Sequence, residues 1–404
     1  MPLTDQSVIL ICSKLLVVVV VVVSYMETKP GPCMNAFKFS MIVLIFASIG
    51  SLMQIGGGNW DVTSHLLLIP ESFFTPSHAL LYAGIGILSL SAILGGALLM
   101  KYGELKKRGM SLSFKLLIIG SALSIISGPS DFIWHETFGV DGFLSPTHLM
   151  LITGMLINTT AVAIGLVRLN SVVKTGTLYQ LGRIFFVPAM IALWLNLISY
   201  VYIFALPISD GELINFNLNP IAESLIALVL LPSINSALFL FVLRSTHAFG
   251  IASVIAAGVI LLTTFTNIIP SQALSNLLPF YLLTIIPFIL IDLMIYDKFP
   301  LGNRIIGNKL KVAISGAISG SLFYIMGYPL LPLTLSNYMM PIDLEQVGFV
   351  TIVDILPSFF NSLPVVLPIT LLLGAIMGIL TAWIYERIAG YKEKNSKPDR
   401  VLLE

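Results

Sequence analysis

The sequence predicts an all-helical integral membrane protein with about 10 or 11 transmembrane helices in tandem, parallel hairpin repeats. Composition is the first observation behind this fold class. Hydrophobic residues make up 57% of the 404 residues, charged residues make up 10%, and the net charge is +1. A soluble domain carries about 25% charged residues, so most of this chain needs the lipid bilayer as its solvent. The small net charge argues against a nucleic-acid partner, because domains that bind nucleic acids present basic patches.

The second observation is a series of apolar runs, each close to the length of about 20 residues that a transmembrane helix requires. The expected spans are 9–25, 38–60, 77–100, 112–134, 146–167, 184–206, 221–243, 248–269, 276–297, 312–334 and 364–386. A further apolar run at 349–362 is short and contains Asp354, so we expect it to be re-entrant or interfacial.

The third observation is that the loops between these runs alternate in charge. Lys and Arg collect in the cytoplasmic loops of membrane proteins. Lys106, Lys107 and Arg108 share one loop, whereas Asp210 and Glu212 lie in a loop of the opposite set. We therefore expect a multi-pass protein of the cell membrane, with its acidic loops outside and its basic loops and C terminus in the cytoplasm.

The chain divides into four regions. These are an N-terminal extension or extra transmembrane helix at 1–33, a duplicated two-hairpin domain at 34–178, further hairpins at 179–388 and a cytoplasmic tail at 389–404. In the first region, the valine run at 17–23 lacks the preceding basic segment of a signal peptide. Met34 is directly followed by a normal helix start, which makes it an alternative initiator to Met1.

A gap-free repeat relates residues 47–85 to residues 117–155 at an offset of 70. Both segments follow the same course through the predicted membrane, so the repeat is parallel. The pairs include Gly50 with Gly120, Asp61 with Asp131, His65 with His135, Pro76 with Pro146, His78 with His148, and Gly84 with Gly154. Shared apolar composition explains matched leucines but not matched Asp, His and Pro residues. We therefore infer that a two-helix hairpin has been duplicated.

Each copy carries the pattern Asp-x3-His-x12-His. Asp61 and His65 are four residues apart and lie on one face of a helix. Thr75 suits the N-cap of the returning helix and Pro76 its first position, which puts His78 in the first turn. The positive end of the helix dipole favours a neutral imidazole there, and the neutral form is the one that binds metal ions.

These positions predict a metal site with one carboxylate and two imidazoles per copy. The expected ligands are Asp61, His65, His78, Asp131, His135 and His148, for copper or alternatively for iron or zinc. Glu71, Glu136 and Asp141 are expected to orient the imidazoles. Haem is not expected, because one histidine of each copy starts its helix near the surface. The sequence leaves open whether the triads form one composite site or two separate sites, and whether each Asp–His pair is only a hydrogen-bonded pair at a helix end.

The motif resembles the copper site of the C subunit of the particulate methane and ammonia monooxygenases. The resemblance implies that the Asp and two His of each copy hold copper. It also implies a copper-dependent, monooxygenase-like oxidoreductase subunit that works with other membrane subunits. The resemblance covers the motif alone, and the family's subunit carries one such motif where this chain has two.

Two other functional classes remain open. A transporter or channel would use the triads as an ion site at its outer mouth, with Glu223 or Asp292 on the route. A membrane-embedded zinc hydrolase would take its general base from Glu136. Glu223, Asn235, Asn267 and Asp292 are equally suited to be hydrogen-bond partners between helices, and we favour this structural role.

Overall fold

The computed structural model describes residues 32–66, 72–138, 144–173, 175–205, 220–246, 248–270, 278–295, 308–322 and 352–395, together with residues 69, 218, 272 and 275. The regular structure in these residues is helical and includes no strand. The expected all-helical class is therefore confirmed for the described part of the chain.

Twelve α-helices are described. In chain order they are α1 (Pro32–Leu66), α2 (Pro76–Lys101), α3 (Gly103–Lys107), α4 (Ser111–Phe138), α5 (Pro146–Val172), α6 (Gly176–Ala205), α7 (Pro220–Thr246), α8 (Ile251–Ile268), α9 (Leu278–Leu283), α10 (Ile285–Ile295), α11 (Asn308–Ala317) and α12 (Ile352–Asn395). Within the described residues, 8 helices are long and apolar enough to cross a membrane, namely α1, α2, α4, α5, α6, α7, α8 and α12. Each of them coincides with one of the expected spans.

Prolines divide one expected span and leave another helix continuous. Of the expected span 276–297, the described residues 278–295 form α9 and α10 rather than one helix. Pro287 has no N–H to donate to the carbonyl of Leu283, the last residue of α9, so the helix breaks there. Residues 352–362 begin helix α12, which continues without a break through the expected span 364–386, and the interfacial position expected for 349–362 stays a prediction. Membrane helices tolerate proline where neighbouring groups satisfy the freed carbonyls.

Two further expected spans lie wholly or partly outside the described residues. The span 9–25 lies outside them entirely. In the span 312–334, α11 passes into a π-helical turn at Ile318–Leu322, and the rest of the span lies outside the described residues. The predictions for the N-terminal region and for the tail after residue 395 stay predictions for the same reason.

Glycine contacts bring the helices of two neighbouring pairs together. A β-carbon added to Gly84 of α2 would lie 2.8 Å from the carbonyl oxygen of Gly50 of α1. A β-carbon added to Gly120 of α4 would lie 2.8 Å from the carbonyl oxygen of Gly154 of α5. Side chains do not fit at such distances, so these crossings depend on glycine. The two crossings hold the ends of α1 and α4 beside the starts of α2 and α5.

Polar side chains inside the bundle join neighbouring helices. Asn235 of α7 accepts a hydrogen bond from Trp194 Nε1 of α6 at 2.5 Å. Asn267 of α8 accepts one from a threonine of α1 at 2.9 Å. Asp292 of α10 is buried and accepts hydrogen bonds from the backbone N–H and the hydroxyl of Ser253, at 2.8 Å and 2.6 Å, where α8 begins. These contacts confirm the structural role that the sequence favours for the three residues.

Candidate metal centre

Two helix ends and two helix starts meet at one end of the bundle. α1 and α4 each carry the Asp and first His of a triad near their C-terminal ends, and α2 and α5 each carry the second His in their first turn. Ser145 caps α5, because its Oγ accepts the N–H of His148 at 3.2 Å. Thr75 occupies the N-cap position of α2 without a side-chain capping bond, and its hydroxyl instead lies 3.2 Å from Ser77 Oγ.

The first triad converges as predicted. His78 Nε2 lies 2.8 Å from Asp61 Oδ1, and His65 Nε2 lies 3.7 Å from Asp61 Oδ2. One potential ligand atom from each of the three residues lies within 4.8 Å of the other two. Ser77 Oγ donates a hydrogen bond to Asp61 Oδ1 at 3.0 Å and so holds the carboxylate in place.

The second triad pairs the corresponding atoms, at different distances. Asp131 Oδ2 lies 3.3 Å from His135 Nε2, and Asp131 Oδ1 lies 3.3 Å from His148 Nε2. Thr147 Oγ1 donates a hydrogen bond to Asp131 Oδ1 at 2.7 Å. Thr147 therefore holds the carboxylate of Asp131 in place, as Ser77 holds the carboxylate of Asp61.

The two triads form one cluster rather than two separate groups. The ring centroid of His65 lies 5.7 Å from that of His135 and 6.2 Å from that of His148. The rings of His135 and His148 are 5.4 Å apart. Nitrogen atoms of these three histidines also lie within 4.8 Å of one another. His65 therefore belongs both to the triad of its own hairpin and to a group of three histidines drawn from both hairpins.

The orientation of His78 is determined by three contacts. Its Nδ1 lies 2.9 Å from the carbonyl oxygen of Ser72, which can only accept, so Nδ1 carries a hydrogen. Its Nε2 then faces Asp61. Its ring stacks on Tyr82 with centroids 5.7 Å apart and an interplanar angle of 26°. A backbone acceptor on the outer imidazole nitrogen is typical of histidines that bind metal ions.

Of the three acids expected to orient the imidazoles, the structure describes only one. Glu136 has an exposed side chain, while Glu71 and Asp141 lie outside the described residues. The expectation that these three acids orient the imidazoles stays a prediction. Sequence reasoning missed Ser77 and Thr147, although a signal existed: each hydroxyl residue directly precedes the second histidine of its motif, at the same offset of 70.

The donor set suits a first-row transition metal. Four imidazoles and two carboxylates meet in a half-buried position, with side-chain exposures between 12% and 19%. Imidazole nitrogen suits zinc, copper and iron, whereas calcium and magnesium prefer sites made wholly of oxygen. Two carboxylates at the end of an apolar bundle also attract a cation, because ionised groups are unfavourable next to hydrocarbon.

Comparison with protein-family models, with curated proteins and with solved structures finds no match to this chain. The resemblance to the monooxygenase C subunit therefore rests on the motif alone. A function for the chain has to be inferred from the chemistry of the cluster and from the helices that hold it.

Proposed function

We propose that this chain is a polytopic membrane protein that binds one divalent transition-metal ion in a composite centre, with copper as the first candidate and iron or zinc as alternatives. The ligands come from Asp61, His65, His78, Asp131, His135 and His148. The observation that carries the proposal is the convergence of potential ligand atoms within 4.8 Å, both among Asp61, His65 and His78 and among His65, His135 and His148.

Charge favours one ion over two. One divalent cation is balanced by the two aspartates, whereas a second would leave an excess of two positive charges in a half-buried position. Two divalent ions about 4 Å apart repel each other by on the order of 17 kcal/mol at an effective dielectric constant of about 20. His65 adds a geometric reason, because a neutral imidazole offers one nitrogen lone pair and can serve one ion at a time.

The membrane part of the proposal rests on the long apolar helices and on the loop charges. The 8 described helices that are able to cross a membrane would contact the lipid bilayer. From the charge alternation we infer that the metal centre lies at the outer face of the cell membrane and the basic loops in the cytoplasm. The tandem parallel repeat is supported by the carboxylate–imidazole contacts at corresponding positions of the two hairpins and by their matched glycine crossings.

Copper is the first candidate because of the motif's resemblance to the monooxygenase C subunit. Under that resemblance the chain is a copper-dependent oxidoreductase subunit and assembles with other membrane subunits. The histidine-rich donor set is compatible with copper, and it suits zinc and iron as well. Metal analysis therefore has to compare the three ions directly.

The alternatives receive less support from the described contacts. The transporter hypothesis needs Glu223 or Asp292 on the transport route. Asp292 is already held by hydrogen bonds from Ser253 at the start of α8, and the side chain of Glu223 lies outside the described residues. For the zinc hydrolase reading, Glu136 would have to face the metal as a general base, yet its side chain is exposed.

Metal stoichiometry tests the proposal. The purified protein is stripped with a chelator, dialysed against copper, zinc or iron, and analysed for bound metal. We expect one ion per chain in the wild type and less than one in both His65→Ala and His135→Ala, with the larger loss in His65→Ala, because both hairpins contribute to one site and His65 belongs to both ligand groups. His247→Ala, which changes the one histidine outside the motifs, is the control and should bind like the wild type. Two ions in the wild type, with one lost in each variant, would contradict the composite centre.

A further inference from the structure

A layer of four buried polar side chains lies on the inner side of the metal cluster. We call these four residues, Gln54, Ser121, Ser124 and Asn158, the axial layer. Gln54 and Ser124 each precede the aspartate of their helix by two turns, about 10 Å along the axis. Gln54 Nε2 donates to Ser124 Oγ at 3.1 Å, and Asn158 Nδ2 reaches the same oxygen at 3.5 Å. Ser121 Oγ donates to Asn158 Oδ1 at 3.4 Å. The layer thus joins α1, α4 and α5.

The axial layer and the metal cluster lie on one line. Gln54 and Ser124 are 70 residues apart, the offset of the predicted repeat, and they contact each other. His65 and His135 are related by the same offset, and their rings face each other at 5.7 Å. Contacts between equivalent positions of a twofold repeat occur at its symmetry axis. The layer therefore continues the metal centre inward along that axis.

The axial layer leaves one polar atom without a protein partner. Gln54 and Asn158 are 0% exposed, and Ser124 is 1% exposed. Gln54 Oε1 accepts no hydrogen bond within the described residues. Rotating the amide by half a turn would pair the oxygen with Ser124 and leave the nitrogen without an acceptor, so either assignment leaves one group unsatisfied. A buried polar atom of this kind normally has a bound partner.

Water fits this position better than a metal ion does. The axial layer carries no formal charge, and an ion without a carboxylate would be poorly stabilised there. A water molecule can donate to an amide oxygen or accept from an amide nitrogen, so it satisfies either orientation of Gln54. The hydroxyl oxygens of neighbouring serines, among them the buried Ser127, provide further hydrogen-bonding groups between the layer and the cluster.

We propose that the axial layer binds water and extends the polar surroundings of the metal centre from the outer face to the middle of the bundle. Four large apolar side chains, each 0% exposed, follow further inward: Leu44, Phe114, Leu117 and Leu166. They belong to the apolar core of the bundle. The site is therefore a polar extension of the metal centre toward the interior of the bundle.

A map of the wild-type protein that resolves ordered water tests the site directly. We expect density for a water molecule within hydrogen-bond distance of the Gln54 amide. An amide fully paired with protein atoms and without such density would overturn the inference. This measurement needs no variant, so it decides the question even if substitutions in the layer impair folding.

Thermal unfolding gives an independent test through the sign of a shift. Gln54→Met removes the hydrogen bonds to water and to Ser124, so we expect a lower Tm than in the wild type. In a dry layer the same change would lose the hydrogen bond to Ser124 but also remove an unsatisfied buried atom. Because these two effects oppose each other, an unchanged or higher Tm would overturn the inference. Gln180→Met, at an exposed glutamine of α6, is the matched control and should leave Tm unchanged. Gln54→Met should still bind one metal ion, which separates this inference from the proposed metal function.

Discussion

The shared position of His65 leads to a ranking of ligand substitutions. His65 belongs to both groups of converging ligand atoms, whereas His78 belongs only to the group with Asp61. His65→Ala therefore removes a ligand from each group, and His78→Ala leaves His65, His135 and His148 together. We expect His65→Ala to weaken metal binding at least 100-fold, about 2.8 kcal/mol, and His78→Ala about 10-fold, about 1.4 kcal/mol.

Competition dialysis against a chelator of known affinity measures this ranking. The wild type, the two variants and the control His247→Ala are compared at one pH and one salt concentration. Equal losses in His65→Ala and His78→Ala would refute the shared role of His65. A second site of undiminished affinity in His65→Ala would refute the composite centre as well, because two independent triads would each lose binding separately.

Three further predictions concern the groups around the cluster and the helix crossings. Ser77→Ala and Thr147→Ala each remove the hydroxyl that donates to a ligand carboxylate, so dialysis should show an affinity loss of about 10-fold to 100-fold, and Ser77→Thr should restore most of it. Metal occupancy should fall between about pH 7 and pH 5, because protons compete for the imidazoles, and an occupancy that is constant over this range would argue against histidine ligands. Gly84→Ala should lower stability by about 1–3 kcal/mol by forcing a methyl group against the backbone of α1, whereas Gly86→Ala, with open space at its β-carbon, should unfold at the wild-type temperature.

Local patterns in the sequence predicted most of the helices and the convergence within each triad. An apolar run long enough to cross a bilayer has few alternatives to a helix, which explains the agreement for α1 and α4. The four-residue spacing of Asp61 and His65, and the turn before Pro76, involve only neighbours along the chain. Such short-range geometry follows from helix periodicity and from helix capping.

The composite nature of the centre could not be predicted, because it depends on how the two hairpins pack against each other. Nothing in the pattern of one hairpin requires the ring of His65 to face those of His135 and His148. That contact depends on the three-dimensional packing of α1, α4 and α5, in which the hydrogen bonds among Gln54, Ser124 and Asn158 take part. Long-range contacts of this kind leave no periodic signal in a single sequence.

The sequence shows where prolines can disturb a helix, but it does not show which of them break their helix. Pro287 lies in the first turn of α10, directly after the break at Thr284, whereas Pro188 and Pro232 lie inside continuous helices. A proline always removes one hydrogen bond, but tertiary contacts decide whether the helix breaks or continues. Length and composition alone therefore overestimated the span at 276–297 and missed the continuity of α12.

X-ray absorption spectroscopy of the metal-loaded protein tests the central claim most directly, because it reports the ligand atoms of the bound ion. We expect a single kind of site with at least three imidazole nitrogens and one carboxylate oxygen, at about 2.0–2.2 Å if the ion is zinc. Neither sulfur ligands nor a second metal ion should be visible nearby. A metal–metal distance of about 3.5–4 Å, as in two-metal sites, or the absence of imidazole scattering would contradict one ion held by both hairpins.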